Sequence, residues 1–505
     1  MQDFGSAAWH FLCAYNEWFF RPVPFAYLPE KPENRRIELI MERKNAWNSY
    51  SADELSRVMA LAEDYRNFIS SCKTERECVA ESIRIAEQAG YRNLDDVIRE
   101  GTRLQAGDRV YACNMGKTLA LFCIGTEPMT AGLHILGAHV DSPRLDLKQN
   151  PVYEDSDICL LDTHYYGGIK KYQWVALPLA IHGVVAKKDG TVVPVVIGED
   201  PSDPVVGISD LLIHLAGDQL QKTAAKVIEG EALNVTIGSR PDPADAGSDK
   251  KEKVKAYLLS ILAEKYGIEE EDFLSAELEI VPAGPARDYG LDRSMLIGYG
   301  HDDRVCAYTS LRAMLDVENP QYTSVCLLVD KEEIGSVGAT GMQSRFFENT
   351  VAELLALTCD SYNDLLLRRC LKNSKMLSSD VSIAYDPNFP EVCEPKNSAY
   401  FGRGFSFNKY TGARGKSGCN DANAEYMAYL RRVMDENHVF FQTCELGKVD
   451  QGGGGTIAYI LANYDMEVID CGVPVQNMHA PWEVVSKADV FETTKGYIAF
   501  LKAGR

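Results

Sequence analysis

Five short segments, spread over some 340 positions, carry side chains that bind metals or move protons: His139-Val140-Asp141, Asp302-Asp303, Glu332-Glu333, Ser379-Asp380 and Met478-His479. Read together, they supply the parts of a dinuclear metal hydrolase site. Two divalent ions roughly 3.5–4 Å apart can bind one water between them, acidify it and polarise a carbonyl. Such a site needs a carboxylate shared by both ions, further ligands on each, and a base outside the ligand set. Imidazole with carboxylate suits zinc and can also hold manganese or cobalt. Here Asp302 would bridge, His139 and Asp380 would complete one ion's ligands, and Glu333 and His479 the other's. Glu332 is then the general base, because adjacent residues leaving a strand point different ways and one of a Glu-Glu pair suffices for the metal. Asp141, two positions after His139, would orient that imidazole or the base through a hydrogen bond.

Each segment alone has a plainer reading. A lone His-x-Asp or Glu-Glu pair recurs by chance, and charged residues default to the surface. Asp303 with Arg304 could form a salt bridge at a helix start. His10, His134, His182, His214 and His438 lie outside any cluster and read as structural, with His301 open to either reading. Gly412-Ala413-Arg414-Gly415-Lys416-Ser417 lacks the first glycine of a phosphate loop, whose place Tyr410 takes, so nucleotide binding is not expected.

The elements that must position these residues are legible in periodicity. Leu55, Val58, Met59, Leu61, Ala62, Tyr65, Phe68 and Ile69 repeat at helical spacing and predict a packed helix. Strands are expected at 111–114, 118–123 and 133–136, the last running into His139. From about Pro151 to about Ala286 the texture changes to short β-rich pieces (192–197, 233–237), a polar stretch at 238–253 and a helix at 255–266. The metal candidates avoid this block, which reads as an inserted second domain. Beyond it, a helix at 305–315, a buried strand at 324–329 and a strand at 467–471 set ligands beyond strand carboxyl ends, as open α/β sheets do. Gly452 to Gly455, ahead of Thr456 and an apolar helix, would be either a helix start approaching a ligand or a flexible turn.

The 505 residues suggest two or three folding units. A net charge of −21, from 73 acidic and 52 basic residues, argues against nucleic acid and anionic membrane as partners. The longest apolar run, around Val175 to Ala186, contains Pro178 and His182 and falls short of the roughly 20 residues of a membrane span. The amino terminus shows no basic region leading into an apolar stretch, so a cytoplasmic protein is expected. The 14 cysteines form no C-x-x-C pair and read as small reduced core residues.

The order and context of His139-Val140-Asp141-Ser142-Pro143-Arg144, Tyr166-Gly167-Gly168-Ile169, Ala286-Arg287-Asp288, Asp292-Arg293-Ser294, Asp302-Asp303, Glu332-Glu333-Ile334-Gly335-Ser336, Ser379-Asp380, Gly455-Thr456-Ile457 and Met478-His479 resemble the aspartyl aminopeptidase family. These are cocatalytic zinc aminopeptidases that assemble into tetrahedral dodecamers, and the resemblance covers nearly all of the chain. It implies an α/β fold: a zinc-peptidase-like catalytic domain with a central mixed sheet flanked by helices, residues 1–150 and 287–505, interrupted by a β-rich dimerisation domain, residues 151–286. By the same resemblance the roles above carry over position by position. The implied activity is removal of the N-terminal residue from peptides, with two divalent ions per subunit. The implied assembly is a homo-oligomer, a dodecamer built from dimers, whose sites face an enclosed chamber.

Two departures bear on substrate. Eukaryotic-type members follow Tyr-Gly-Gly with a tryptophan-rich stretch ending in Asp-Arg-Asp-Leu, whereas this chain reads Lys170-Lys171-Tyr172-Gln173-Trp174-Val175-Ala176-Leu177. After the ligand Asp those members carry two histidines, where this chain has Ile383 and Asp386. The sequence is closer to a bacterial branch, and the preference stays open between acidic and neutral or hydrophobic residues. Lys409 is a candidate for a substrate carboxylate, with an exposed lysine near Arg414 and Lys416 as the alternative. The rival functions are a dinuclear deacylase or carboxypeptidase using the same ligands, and an inactive oligomeric scaffold. An intact Glu332 counts against the scaffold.

Overall fold

Leu133–His139, Thr323–Val329, Lys375–Ser379 and Glu467–Gly472 lie side by side and parallel at the centre of a nine-stranded sheet in the computed structural model. Every residue of the first two is buried, as parallel strands covered on both faces require. Side-chain alternation divides them between two cores. Leu136, Ala138, Cys326, Leu328, Leu377 and Ile469 face one; Ile135, Val325, Leu327, Met376 and Val468 face the other. Helices Ala52–Ser71, His301–Leu315 and Lys487–Lys502 cover the first core, and Phe346–Thr358 and Asp364–Lys372 the second. Thr118–Cys123 and Phe405–Asn408 join antiparallel, so the sheet is mixed, as expected.

The strand order places Leu133–His139 between the later strands Thr323–Val329 and Lys375–Ser379. Connections therefore leave it toward opposite sides, which opens a crevice beyond the strands' carboxyl ends.

A second, antiparallel sheet of six strands runs Val192–Ile197, Leu179–Ala186, Ala276–Pro282, Arg144–Asp155, Ile158–Tyr166, Val235–Gly238. It closes its own apolar core, around Trp174, Leu179 and Leu278, against helix Lys253–Tyr266. Its first strand already starts at Arg144, because that strand leaves the His139 segment almost directly. A third sheet of five short strands includes Met295–Gly298, Glu483–Ser486 and Pro474–Gln476.

The helix expected from Val305 begins at His301, with a non-helical backbone at Asp302 and Asp303. The helix after the four glycines is brief, Ala458–Ala462. Residues 44–245, 249, 251–412 and 415–504 are described. The amino-terminal leader reading, His10 and Arg414 lie outside them. Among the described residues no helix is long and apolar enough to cross a membrane.

Candidate metal centre

Each central strand delivers a group to the crevice. His139 is the last residue of its strand, and Asp380 follows Ser379. Glu332 and Glu333 follow the strand ending at Val329 after a left-handed turn at Lys331, φ 69°. His479 comes beyond Gly472, itself left-handed at φ 64°. Asp302 enters from the start of helix His301–Leu315.

His139 Nε2 lies 3.2 Å from Asp302 Oδ1 and 3.9 Å from Asp380 Oδ1. His479 Nε2 lies 3.2 Å from Asp302 Oδ2 and 3.6 Å from Glu333 Oε1. The two oxygens of one carboxylate thus face two separate imidazoles. Glu332 Oε2 stands 3.9 Å from His139 Nε2. Donors at about 2.0–2.2 Å from a tetrahedral ion lie roughly 3.3–3.6 Å apart, so the spacing around Asp302 suits a cation on either side. Both histidines are prepared for it. Nδ1 of His139 is 2.9 Å from the Asp141 carbonyl, and Nδ1 of His479 is 2.9 Å from the Gly168 carbonyl. A carbonyl only accepts, so Nδ1 holds the proton and Nε2 is turned to the cluster.

The electrostatics of the bare cluster call for positive charge. Burial, reinforced by the Asp302 charge, pushes Glu333 well above the usual carboxylate range. Burial and the charges of Asp303, Glu332 and Asp302 do the same to Asp380. Glu332 is raised to about 7 by burial and by Asp141 and Asp302. Burial would lower both histidines, yet His139 is held well above its ordinary value by hydrogen bonds to Asp141 and Asp302. His479 is raised to about 10 by Asp302 and Glu333. Glu333 Oε1 is buried with no hydrogen-bond partner among the described residues, a cost that a bound cation removes.

Asp141 is fully buried and anchors the Glu-Glu turn: its Oδ1 accepts from the Glu332 N–H at 3.1 Å and its Oδ2 from the Glu333 N–H at 3.2 Å. Tyr166 Oη donates to the same Oδ2 at 2.8 Å. Asp141 therefore fixes the backbone of Glu332 and Glu333 together, where one orienting bond was expected.

The family model for aminopeptidase I zinc metalloproteases (M18) matches residues 68–501. The chain belongs to the M18 peptidase family. A probable M18 family aminopeptidase 1 of Clostridium acetobutylicum is 64% identical over 464 residues, covering 92% of this chain and 99% of that protein. A Thermotoga maritima relative of the same description is 44% identical over 462 residues, with coverages of 92% and 99%. The crystal structure of aminopeptidase I from C. acetobutylicum superposes with TM-score 0.85 at 62% identity, covering 92% of this chain and all of that one. The M18 aminopeptidase of T. maritima does so with 0.86 at 43%, over 92% of this chain and all of that one. The protein is a zinc-dependent aminopeptidase.

Some residues of this M18 site were not found by sequence reasoning. Glu483, 1% exposed, accepts the Asp302 N–H at 2.9 Å on one oxygen and the His479 N–H at 2.6 Å on the other. It ties the central carboxylate to the distal histidine, and burial pushes it up to about 8. The available signal was a lone acid opening the apolar strand Glu483–Ser486. A Cβ at Gly168 would sit 3.3 Å from His479 Nδ1, so a larger residue there would push that imidazole by a few tenths of an ångström.

Lys409 is not brought to the cluster. Its Nζ pairs with Asp421 at 2.8 Å on the surface, while its neighbour Asn408 lines the crevice. Asp303 and Arg304 do not pair with each other: Asp303 Oδ2 accepts the His139 N–H, and the Arg304 guanidinium donates to the carbonyls of Val140 and Lys73. His301 is buried beside Tyr65 Oη at 2.6 Å, in a packing role.

Proposed function

We propose that this M18 enzyme holds two divalent ions, zinc foremost with cobalt or manganese as alternatives, and releases the amino-terminal residue of peptides. Asp302, His139 and Asp380 would hold one ion; Asp302, Glu333 and His479 the other. The observation that carries this reading is the Asp302 carboxylate, each oxygen 3.2 Å from a different imidazole Nε2. When bound, such a pair acidifies water and polarises the scissile carbonyl. Glu332 takes the water's proton on a carboxylate oxygen and delivers it to the departing amine nitrogen. Asp141 keeps that carboxylate in place through the two backbone amides it holds. The surplus of carboxylates around the crevice favours a free, protonated amino terminus, which an N-acylated substrate lacks.

The second sheet supports the proposed role of residues 151–286 as a dimerisation insert in a homo-oligomer, a dodecamer built from dimers that admits small peptides. One fold neighbour, from S. cerevisiae, is the mApe1 dodecamer, 21% identical with TM-score 0.70. The proposed place of action is the cytoplasm.

The test is hydrolysis of free and N-acetylated aminoacyl-nitroanilides before chelation, after it, and after zinc is restored. Chelator-reversible cleavage confined to free amino termini is expected. Cleavage of the acetylated members at comparable rates would instead establish a deacylase.

A further inference from the structure

Strand Ile158–Tyr166 belongs to the second sheet, yet the residues at its end reach the metal-ligand cluster. Tyr166 Oη donates to Asp141 Oδ2 at 2.8 Å. Gly167, left-handed at φ 72°, packs against Glu333: a Cβ built there would lie 3.2 Å from Glu333 Oε2 and 3.3 Å from Glu333 Cβ. Gly168 accepts from His479 Nδ1 on its carbonyl at 2.9 Å. One tripeptide thus touches Glu333 and His479, the two groups on one side of Asp302, and the carboxylate that anchors the Glu332–Glu333 turn.

The other side of Asp302 is held differently. His139 directs Nδ1 to the Asp141 carbonyl and its N–H to Asp303 Oδ2, and the Asp380 N–H donates to the Cys471 carbonyl. None of these three partners lies in the second sheet. The His139 side chain is 2% exposed against 35% for His479, so less protein surrounds the second imidazole and each contact to it counts for more. The tripeptide is itself well anchored. Arg144 and Tyr166 stand opposite each other across neighbouring strands, and the guanidinium lies 3.9 Å from the ring centroid, a cation over an aromatic face. Glu75, Asp146 and Glu279 fix that guanidinium in turn.

We propose that Tyr166, Gly167 and Gly168 are positioning residues for the ion on the Glu333–His479 side, so that the second sheet builds one of the two metal sites. The proposal rests on the two-ion reading above. Tyr166 acts through Asp141, which spans the Glu332 and Glu333 amides. Gly168 holds Nδ1 of His479 and so aims Nε2 at the ion. A side chain at position 167 would be strained at that φ and would press on Glu333.

The experiment measures zinc bound per chain against buffered free zinc, by equilibrium dialysis and elemental analysis, on the full-length enzyme and its variants. The wild type is expected to bind two ions. Gly168→Ala involves no left-handed backbone, and its Cβ would press on the His479 ring. It should weaken one ion by about 10- to 100-fold, the usual cost of disturbing a group behind a ligand, and leave the other as it was. Added zinc should restore its turnover. Tyr166→Phe should weaken the same ion and, at saturating zinc, still show a kcat lower by about 10-fold with KM little changed, because the turn carrying Glu332 has lost an anchor. Either variant suffices should the other not fold. In a His479→Ala background, where that ion is already lost, Gly168→Ala should leave the remaining ion untouched; a further loss there overturns the proposal. So does parallel weakening of both ions, or of neither, in the single variants. The wild-type titration separates the two failures: a single ion there overturns the two-ion reading and this inference with it, whereas two ions there and parallel weakening in the variants overturn the inference alone.

Discussion

The second sheet and the metal-ligand cluster both bury carboxylates, one beside arginine and lysine and the other beside imidazoles alone. Where the second sheet meets the chain near Glu75, the Arg144 guanidinium lies 3.1 Å from Glu279, 3.6 Å from Glu75 and 2.8 Å from Asp146. Lys117 reaches Glu75 at 3.2 Å, and Lys73 reaches Glu199 at 2.5 Å. In the crevice, the Asp302, Glu332, Glu333 and Asp380 carboxylates have only the His139 and His479 imidazoles as basic partners within 4 Å among the described residues. Tyr166 joins the two regions, its ring under Arg144 at 3.9 Å and its hydroxyl on Asp141. Buried charge that is already paired holds elements together; buried charge left unpaired persists where something else is to supply the counter-charge.

The sharpest separation is expected in activity. Glu332→Gln should lower kcat by about 10²–10⁴-fold while metal content, read by elemental analysis, stays at the wild-type level; unchanged turnover would remove Glu332 from the mechanism. Stability should respond in the other region. Arg144→Met strands Glu279 and leaves Glu75 with Lys117 alone, and unpairing a buried charge costs about 3–5 kcal/mol, to be read from denaturant unfolding. In the chelated protein Asp380→Asn should act in the opposite direction, raising stability by about 1 kcal/mol because it removes one of several like charges. A loss of stability there would mean that the carboxylates are not in excess.

The smallest effect is in pH. His182 bridges Glu77 at 2.8 Å and Glu199 at 3.1 Å, and Lys73 meets the same Glu199 oxygen. Burial would lower it, yet the hydrogen bonds to Glu199 and Glu77 and their charges raise it. The folded state therefore binds the proton more tightly than the unfolded one, whose value is about 6.5. Its contribution is complete below that pH and is lost as pH rises through the folded value. His182→Gln should flatten that decline in unfolding free energy, and an unaltered slope would show the pair network to be indifferent to this proton.

Much of the crevice was legible because its chemistry is local to short segments. His139, Glu332 and Glu333 sit at strand ends that periodicity marks, and residue type does the rest. Less visible was the support. Glu483 acts through backbone amides of residues 181 and 4 positions away, and nothing in the order of residues announces such a partner. Lys409 and Asn408 differ by one position, yet one lies on the surface and the other lines the crevice. The strand Phe405–Asn408 ends between them, so Lys409 already lies in the bend that leaves the sheet.

The sequence by itself determined which side chains were available for metal and proton chemistry, the helical and strand periods that carry them, and the family to which their order belongs. The tertiary structure decided which of them meet. Strand order brings groups from five distant segments to one crevice, and the left-handed turns at Lys331 and His479 aim the Glu332 and Glu333 carboxylates and the His479 imidazole. Those outcomes depend on distances between residues far apart in the chain, which composition and spacing do not encode locally.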